Sequence, residues 1–229
     1  MNLYKIKRNL ISFLYPNRCP FCDELIKSDE FFHKGCVHLD LYKNSGKDIF
    51  CCVYNGKCKP LITKAKENAD GYAVSAIAKL LYDALLQENV LHKINIIAPI
   101  PPRKNSMKKR GYSFPALLAK ELAEMTNGKS AQNGKSAPNG KSAQNTKYSR
   151  KLLVLLREIK EQKELSAAER AENLKGAFGV GRIKLQGSNV LIVDDVSTTG
   201  STLEEARRAL IKNGAGEVYT AAFAKTAVD

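Results

Sequence analysis

The run Val190-Leu191-Ile192-Val193-Asp194-Asp195-Val196-Ser197-Thr198-Thr199-Gly200-Ser201-Thr202 constrains the fold of this chain more than any other stretch. Its first four residues are apolar and suit a buried parallel strand. Two carboxylates follow at the strand's carboxyl end, then hydroxyls and one glycine. After them comes a segment that reads as a helix over residues 201–212. A strand, a short loop and a helix N-terminus in that order aim backbone N–H groups and hydroxyls at a phosphate, with the helix dipole behind them. A loop for phosphate alone does not need two acids beside it. The acids make sense if the ligand also offers a sugar diol or carries Mg²⁺. Together these features describe ribose 5-phosphate with a metal-bound pyrophosphate, that is, phosphoribosyl pyrophosphate (PRPP). The Gly-x₄-Gly-Lys of a Walker A loop does not occur in this run.

The segment resembles the PRPP-binding motif of type I phosphoribosyltransferases. The resemblance implies that Asp194 and Asp195 take the ribose hydroxyls and serve the chemistry if the protein turns PRPP over. It implies that Val196, Ser197, Thr198, Thr199, Gly200, Ser201 and Thr202 line the 5-phosphate. Ser197 departs mildly from the pattern, since an aliphatic residue is common at that place. The competing reading is an ordinary α/β crossover with an acidic edge.

At 229 residues the chain can bury a good core, as one domain or as one domain plus a small module. Its charge is unusual: 37 basic against 23 acidic residues leave a formal net charge of +14. Such a surface attracts polyanions, nucleic acid first and anionic membrane second. No run of about 18 apolar residues occurs, so the sequence predicts no membrane span. Residues 1–16 carry Leu3, Ile6, Leu10 and Phe13 or Leu14 at helical spacing, with no small-residue cleavage site following, so a short amphipathic helix is expected, packed on the protein, with resting on a membrane as the alternative. The expected location is the cytoplasm, with inner-membrane association as an alternative.

Cys19-Pro20-Phe21-Cys22 is a CxxC knuckle, and His33-Lys34-Gly35-Cys36 supplies a second close pair. Cys19, Cys22, His33 and Cys36 together offer four soft ligands, which suits structural, tetrahedral Zn²⁺ with no vacant position. His38 is the rival fourth ligand, but His33 preserves the pair spacing. Cys51 and Cys52 sit in a predicted strand and should point to opposite faces as small core residues.

Further along, a short basic helix is expected over 60–66 and an amphipathic one over 73–86. A buried strand, 94–98, should stop at Pro99, which cannot continue a ladder. A basic loop then carries Arg103, Lys104, Lys108, Lys109 and Arg110 and ends at Gly111-Tyr112. A helix over 114–125 should turn Leu117, Leu118 and Leu122 inward. Asn-Gly-Lys-Ser-Ala-Gln then recurs from residue 127 in three copies, one carrying Pro138 for Gln, without an apolar face. Such a tract cannot offset its ordering entropy by burial, so 127–147 reads as a flexible insertion. A capping box at Ser166 and Glu169 starts a helix to about Leu174, and a last strand is expected over 217–223. Strands alternating with helices give an α/β fold with a parallel sheet, residues 49–229, joined to an N-terminal helix and zinc-finger module, residues 1–48.

These landmarks, in order, are similar to the ComF family: the CxxC module, Pro99-x-Pro101, Arg110-Gly111-Tyr112, Gln162-x-x-Leu165, Arg170-x-x-Asn173, Gly176-Ala177-Phe178 and the Asp-Asp-Val-x-Thr-Thr-Gly motif. The resemblance implies a type I phosphoribosyltransferase-like domain joined to a small zinc finger. It also implies a role in natural transformation, the uptake of single-stranded DNA across the inner membrane. PRPP, Mg²⁺ and single-stranded DNA are then the expected ligands, and a competence helicase and the inner-membrane DNA channel the expected partners. On this reading Arg103, Lys104, Lys108, Lys109 and Arg110 face pyrophosphate or nucleic acid, and Tyr112 can stack a base. The family usually has Arg-Gly-Phe-Asn-Gln where this chain has Arg110-Gly111-Tyr112-Ser113-Phe114, so two amide side chains are missing. The alternative is an active phosphoribosyltransferase, for which no acceptor signature is visible.

Overall fold

The computed structural model describes residues 16–44, 46–67, 70–130, 146–159 and 173–227. The strands are β1 (Asp48–Val53), β2 (Ile96–Pro99), β3 (Lys147–Tyr148), β4 (Leu153–Leu155), β5 (Phe178–Val180), β6 (Val190–Ser197) and β7 (Val218–Lys225). The helices are α1 (Lys59–Glu67), α2 (Gly71–Gln87), α3 (Lys104–Arg110), α4 (Phe114–Ser130) and α5 (Ser201–Lys212). Five strands form one parallel sheet in the order β1-β7-β6-β2-β3, and β4 pairs antiparallel with β5 in a small second sheet. The expected α/β fold with a parallel sheet is therefore present.

Both faces of the large sheet are covered, which is why β7 is buried along its whole length. On one face Leu61 and Ile62 of α1, Ile77, Leu81 and Leu85 of α2, and Leu118 and Leu122 of α4 pack on Ile49, Leu191, Val193 and Phe223. On the other, Leu203, Ala206 and Leu210 of α5 join Leu153 and Phe178 of the small sheet over Ile96, Val190 and Ile192. Helix α2 starts where Asp70 caps it, its carboxylate accepting from the Tyr72 and Ala73 amides at 2.8 and 3.1 Å. Leu117 is not inward: it is 37% exposed. The buried stripe of α4 runs through Leu118, Leu122, Ala123 and Thr126, and Leu117 lies about 100° around the helix from Leu118.

Several boundaries differ from the sequence expectation. β2 includes Pro99, paired with Val193. The amides of Ile96 and Ile100 donate toward β6, to the Asn189 and Val193 carbonyls at 3.1 and 2.9 Å. By alternation the Pro99 nitrogen faces the β3 side, beyond the last β3 pairing at Ile97 and Tyr148, where no ladder donor is needed. The segment 104–110 is not a loop but helix α3, closed by Gly111 at φ 75°. Helix α4 continues through Asn127-Gly128-Lys129-Ser130, the start of the first repeat copy. Asn127 bridges the ends of the insertion, donating to the Thr146 carbonyl at 2.9 Å and accepting from its amide at 3.0 Å. The other repeats, the N-terminal helix and the capping box at Ser166 lie outside the described residues.

The N-terminal module is tied to the sheet. Phe21, Phe31 and Leu39 pack on the first core layer, and Leu41 bridges antiparallel to Cys52 at the outer edge of β1. Cys51, Cys52 and Cys58 are buried in that same layer. Cys51 and Cys52 thus share one apolar cluster at the sheet edge. Contact with Cys51 and burial push the Cys52 thiol far up, which makes it inert.

Candidate functional site

The strand order places β6 and β2 side by side, yet β6 leads through α5 to β7 on one side and β2 leads through α4 to β3 on the other. This is the switch point of the sheet, the place where open α/β sheets hold ligands at their carboxyl ends. A cavity of about 300 Å³ opens there. Its lining includes Asp194, Asp195, residues 196–202, Arg103, Arg110, Tyr112 and Lys66.

The two acids do not follow the strand, as expected from sequence, but are part of it. Their edge toward β7 stays paired, Asp194 opposite Ala222 and Ser197 opposite Lys225. Each carboxylate also holds the next amide: Asp194 accepts from Asp195 N–H and Asp195 from Val196 N–H, both at 2.8 Å. Asp194 is half-buried, and desolvation, then the charge of Asp195, hold its carboxyl well above the usual carboxylate range. Asp195 is buried and forms an ion pair with Lys66 of α1.

The loop between β6 and α5, expected from sequence to hold phosphate, is consequently short, residues 198–200. Thr198 and Thr199 are exposed, and Gly200 sits at φ 86° as the N-cap of α5. That left-handed conformation favours glycine and turns the chain directly into the helix. Gly200 has no side chain to cap the helix; the Ser201 amide meets the Thr199 hydroxyl at 3.4 Å. The hydroxyls of Thr199 and Ser201 meet at 2.8 Å. Behind the loop Lys225, 7% exposed, donates to the Thr198 carbonyl at 2.6 Å and the Ser197 hydroxyl at 3.4 Å. Burial lowers the Lys225 ammonium from its ordinary value.

The basic segment divides. Arg103 and Arg110 line the cavity with Ser106, whereas Lys108 faces solvent; Lys104 and Lys109 belong to the backbone of α3. Arg110 lies 3.8 Å from Glu67, and among the described residues its buried Nε has no hydrogen-bond partner. Tyr112 lines the cavity, but its hydroxyl is committed to α1, donating to the Lys66 carbonyl at 2.7 Å and reaching the Ala65 carbonyl at 3.3 Å.

The second constellation is a candidate metal centre. The ligand atoms of Cys19, Cys22, His33 and Cys36 all lie within 4.8 Å of one another. His33 Nδ1 is 3.3 Å from the Cys22 sulfur and 4.0 Å from that of Cys36. His33, not His38, completes the set. The knuckle folds as a tight turn: the Cys19 amide donates to the Glu24 carbonyl, and the Asp23 amide, at φ 66°, to the Cys19 carbonyl, both at 2.8 Å. Burial pushes the Cys19 thiol up, but hydrogen bonds from the amides around it, at His33, Cys22 and Phe21, prevail and bring it down to about 7. Contact with Cys22 and then burial push Cys36 up to about 11. Three crowded thiols cannot all ionise alone; a bound divalent metal removes that conflict by holding each as thiolate. A soft S₃N set of this geometry fits Zn²⁺.

Sequence reasoning missed Lys66 and Lys225. Lys66 lies on a helix read only as basic, and nothing local pairs it with an acid 129 residues away. Lys225 had a usable signal: it ends a buried, mostly apolar strand, opposite Ser197 in parallel register.

Residues 108–228 match the phosphoribosyl transferase domain family. DNA utilization protein YhgH of Salmonella typhi is 30% identical over 159 residues, 66% of this chain and 62% of that protein. Competence protein F of Haemophilus influenzae is 28% identical over 212 residues, 90% of this chain and 85% of that protein. DNA utilization protein YhgH of Escherichia coli K12 is 27% identical over 176 residues, 76% of this chain and 69% of that protein. The chain thus spans a little under two thirds of the Salmonella relative. Among the described residues no helix is long and apolar enough to cross a membrane.

Proposed function

The chain belongs to the phosphoribosyl transferase domain family, and within it to the ComF family, and we propose from this that it is a competence protein that handles incoming single-stranded DNA through a domain that binds PRPP with Mg²⁺. One observation carries the reading: two acids, a phosphate loop and a cationic wall meet in one cavity. Each part suits one portion of PRPP. The first-turn amides of α5 and the hydroxyls of Thr198, Thr199, Ser201 and Thr202 suit the 5-phosphate. Asp194 and Asp195 suit the ribose diol, and Arg103 and Arg110 the pyrophosphate, which brings Mg²⁺ as part of the ligand. The names of the relatives and the net charge of +14 support the DNA role, with Lys108 and its neighbours on α3 as the first contact surface. A competence helicase and the inner-membrane DNA channel are the partners this role implies.

The test is calorimetric titration of the full chain with PRPP and Mg²⁺, repeated on Asp194→Ala/Asp195→Ala. Binding by the wild type and its loss in a variant of unchanged circular dichroism is the expected result; no binding by the wild type overturns the PRPP reading. The DNA arm is single-stranded DNA anisotropy against salt. Affinity is expected to fall steeply between about 50 and 200 mM. Salt-independent or absent binding overturns it.

A second reading, an active phosphoribosyltransferase, is favoured by one observation. The raised Asp194 carboxyl sits in the cavity, as groups that exchange protons in catalysis do. PRPP consumption with a panel of nucleophilic acceptors tests it.

A further inference from the structure

Lys66 comes from α1, outside the stretch 108–228 that matches the phosphoribosyl transferase domain, yet it lines the same cavity as Arg103, Arg110, Asp194 and Asp195. Among the described residues it is the cation paired with the acid pair. The pairing is sheltered: the side chains of Lys66 and Asp195 are 29% and 12% exposed. Its placement is not that of a loose surface lysine. Tyr112 holds the Lys66 carbonyl at 2.7 Å from one side. Two residues earlier, about 200° around the helix, Lys64 donates to the Pro20 carbonyl of the cysteine knuckle at 2.9 Å. The last turn of α1 is thus clamped between the metal module and the α3–α4 junction, with the Lys66 ammonium directed to the acids.

We propose that Lys66 is a ligand-binding residue whose ammonium exchanges Asp195 for the diphosphate of PRPP, leaving the Asp195 carboxylate to the ribose hydroxyls. This rests on the PRPP reading. The exchange is physically favoured. A diphosphate offers an ammonium several oxygens and more than one negative charge, against a single carboxylate. The released carboxylate keeps the Val196 N–H at 2.8 Å and gains hydroxyl donors from the sugar, so neither charge is left unsatisfied. Together Lys66, Arg103 and Arg110 supply three cations from α1, α3 and the residue preceding α3 for the multiply charged end of the ligand.

Three probes separate this role from a structural one: PRPP with Mg²⁺, inorganic pyrophosphate, and ribose 5-phosphate, which has the diol and phosphate but no diphosphate. They are titrated into the wild type, Lys66→Met and Lys66→Arg. In Lys66→Met, affinity for PRPP and pyrophosphate is expected to fall about ten- to a hundredfold. Affinity for ribose 5-phosphate is expected to hold or rise, because Asp195 no longer has a competitor, and Lys66→Arg should restore part of the loss. Equal weakening for all three probes marks a merely structural role and overturns the proposal. So does unchanged PRPP affinity in Lys66→Met while the wild type binds PRPP, a result that leaves the PRPP reading standing. A wild type that binds none of the probes overturns both.

Discussion

Pro99 of β2 stands opposite Val193 of β6 as their last register pair, and the Ile100 amide closes the ladder on the Val193 carbonyl at 2.9 Å. β6 runs four residues further, still paired to β7 through Ser197 and Lys225. Residues 194–197 therefore keep one hydrogen-bonded edge and present the other to the cavity. The fork between β2 and β6 is what turns an acidic strand end into a site, since a fully paired sheet would have left the two carboxylates against neighbouring strands.

Burial and the neighbouring Asp195 hold the Asp194 carboxyl well above its ordinary value. In the unfolded chain it titrates near about 4. Between that pH and the raised folded value the folded protein keeps the proton and the unfolded chain does not, so this residue's contribution to stability falls as pH rises. Asp194→Asn removes this pH dependence. Its stability relative to wild type should grow from about pH 4 upward until the raised value is passed. Urea denaturation at several pH values measures this, and a pH-independent difference would refute it.

Gly200 at φ 86° should not tolerate a side chain. Gly200→Ala is expected to cost about 1–2 kcal/mol, because an L residue there adopts a left-handed backbone. The added Cβ would stand 3.6 Å from Lys225 Nζ, an ordinary van der Waals contact, so the cost comes from the backbone. Chemical denaturation reads the cost; an unchanged midpoint would contradict a left-handed backbone at this position.

The metal module should hold about one Zn²⁺ per chain in the Cys19, Cys22, His33, Cys36 set. Cys36→Ser or chelation should release the metal and expose residues 16–44 to protease, since the module is held by its knuckle and a few packed aromatics. Zinc content unchanged in both Cys19→Ser and Cys36→Ser would rule the site out. Lys64→Met, in contrast, should retain zinc and lose about 1 kcal/mol through its bond to the Pro20 carbonyl.

Tyr112→Phe separates two uses of one residue. It keeps the ring and removes the hydroxyl that donates to the Lys66 carbonyl at 2.7 Å. A loss of about 1 kcal/mol in stability and weaker PRPP binding are expected. If Tyr112 instead stacks a base of single-stranded DNA, DNA affinity survives in Phe and falls in Tyr112→Ala. Parallel thermal and anisotropy measurements distinguish these outcomes.

Local order in the sequence determined much of the molecule. The apolar run ending in two acids, the hydroxyl-glycine loop and the amphipathic segment 201–212 specified a strand, loop and helix, because burial, left-handed geometry and helical periodicity are each encoded by adjacent residues. The four candidate metal ligands were legible for the same reason, as two close pairs. Errors came where a neighbour in space set the outcome. Pro99 stays in its strand because β3 is too short to need its missing N–H, and the basic segment is helical because Gly111 can close it. The tertiary structure alone decided that β2 stops short of β6, that α1 swings Lys66 onto Asp195, and that Lys225 backs the phosphate loop. Those contacts span up to 129 residues of chain, and a charge on a helix face carries no local trace of which buried carboxylate it will meet. Chain packing chose the partners.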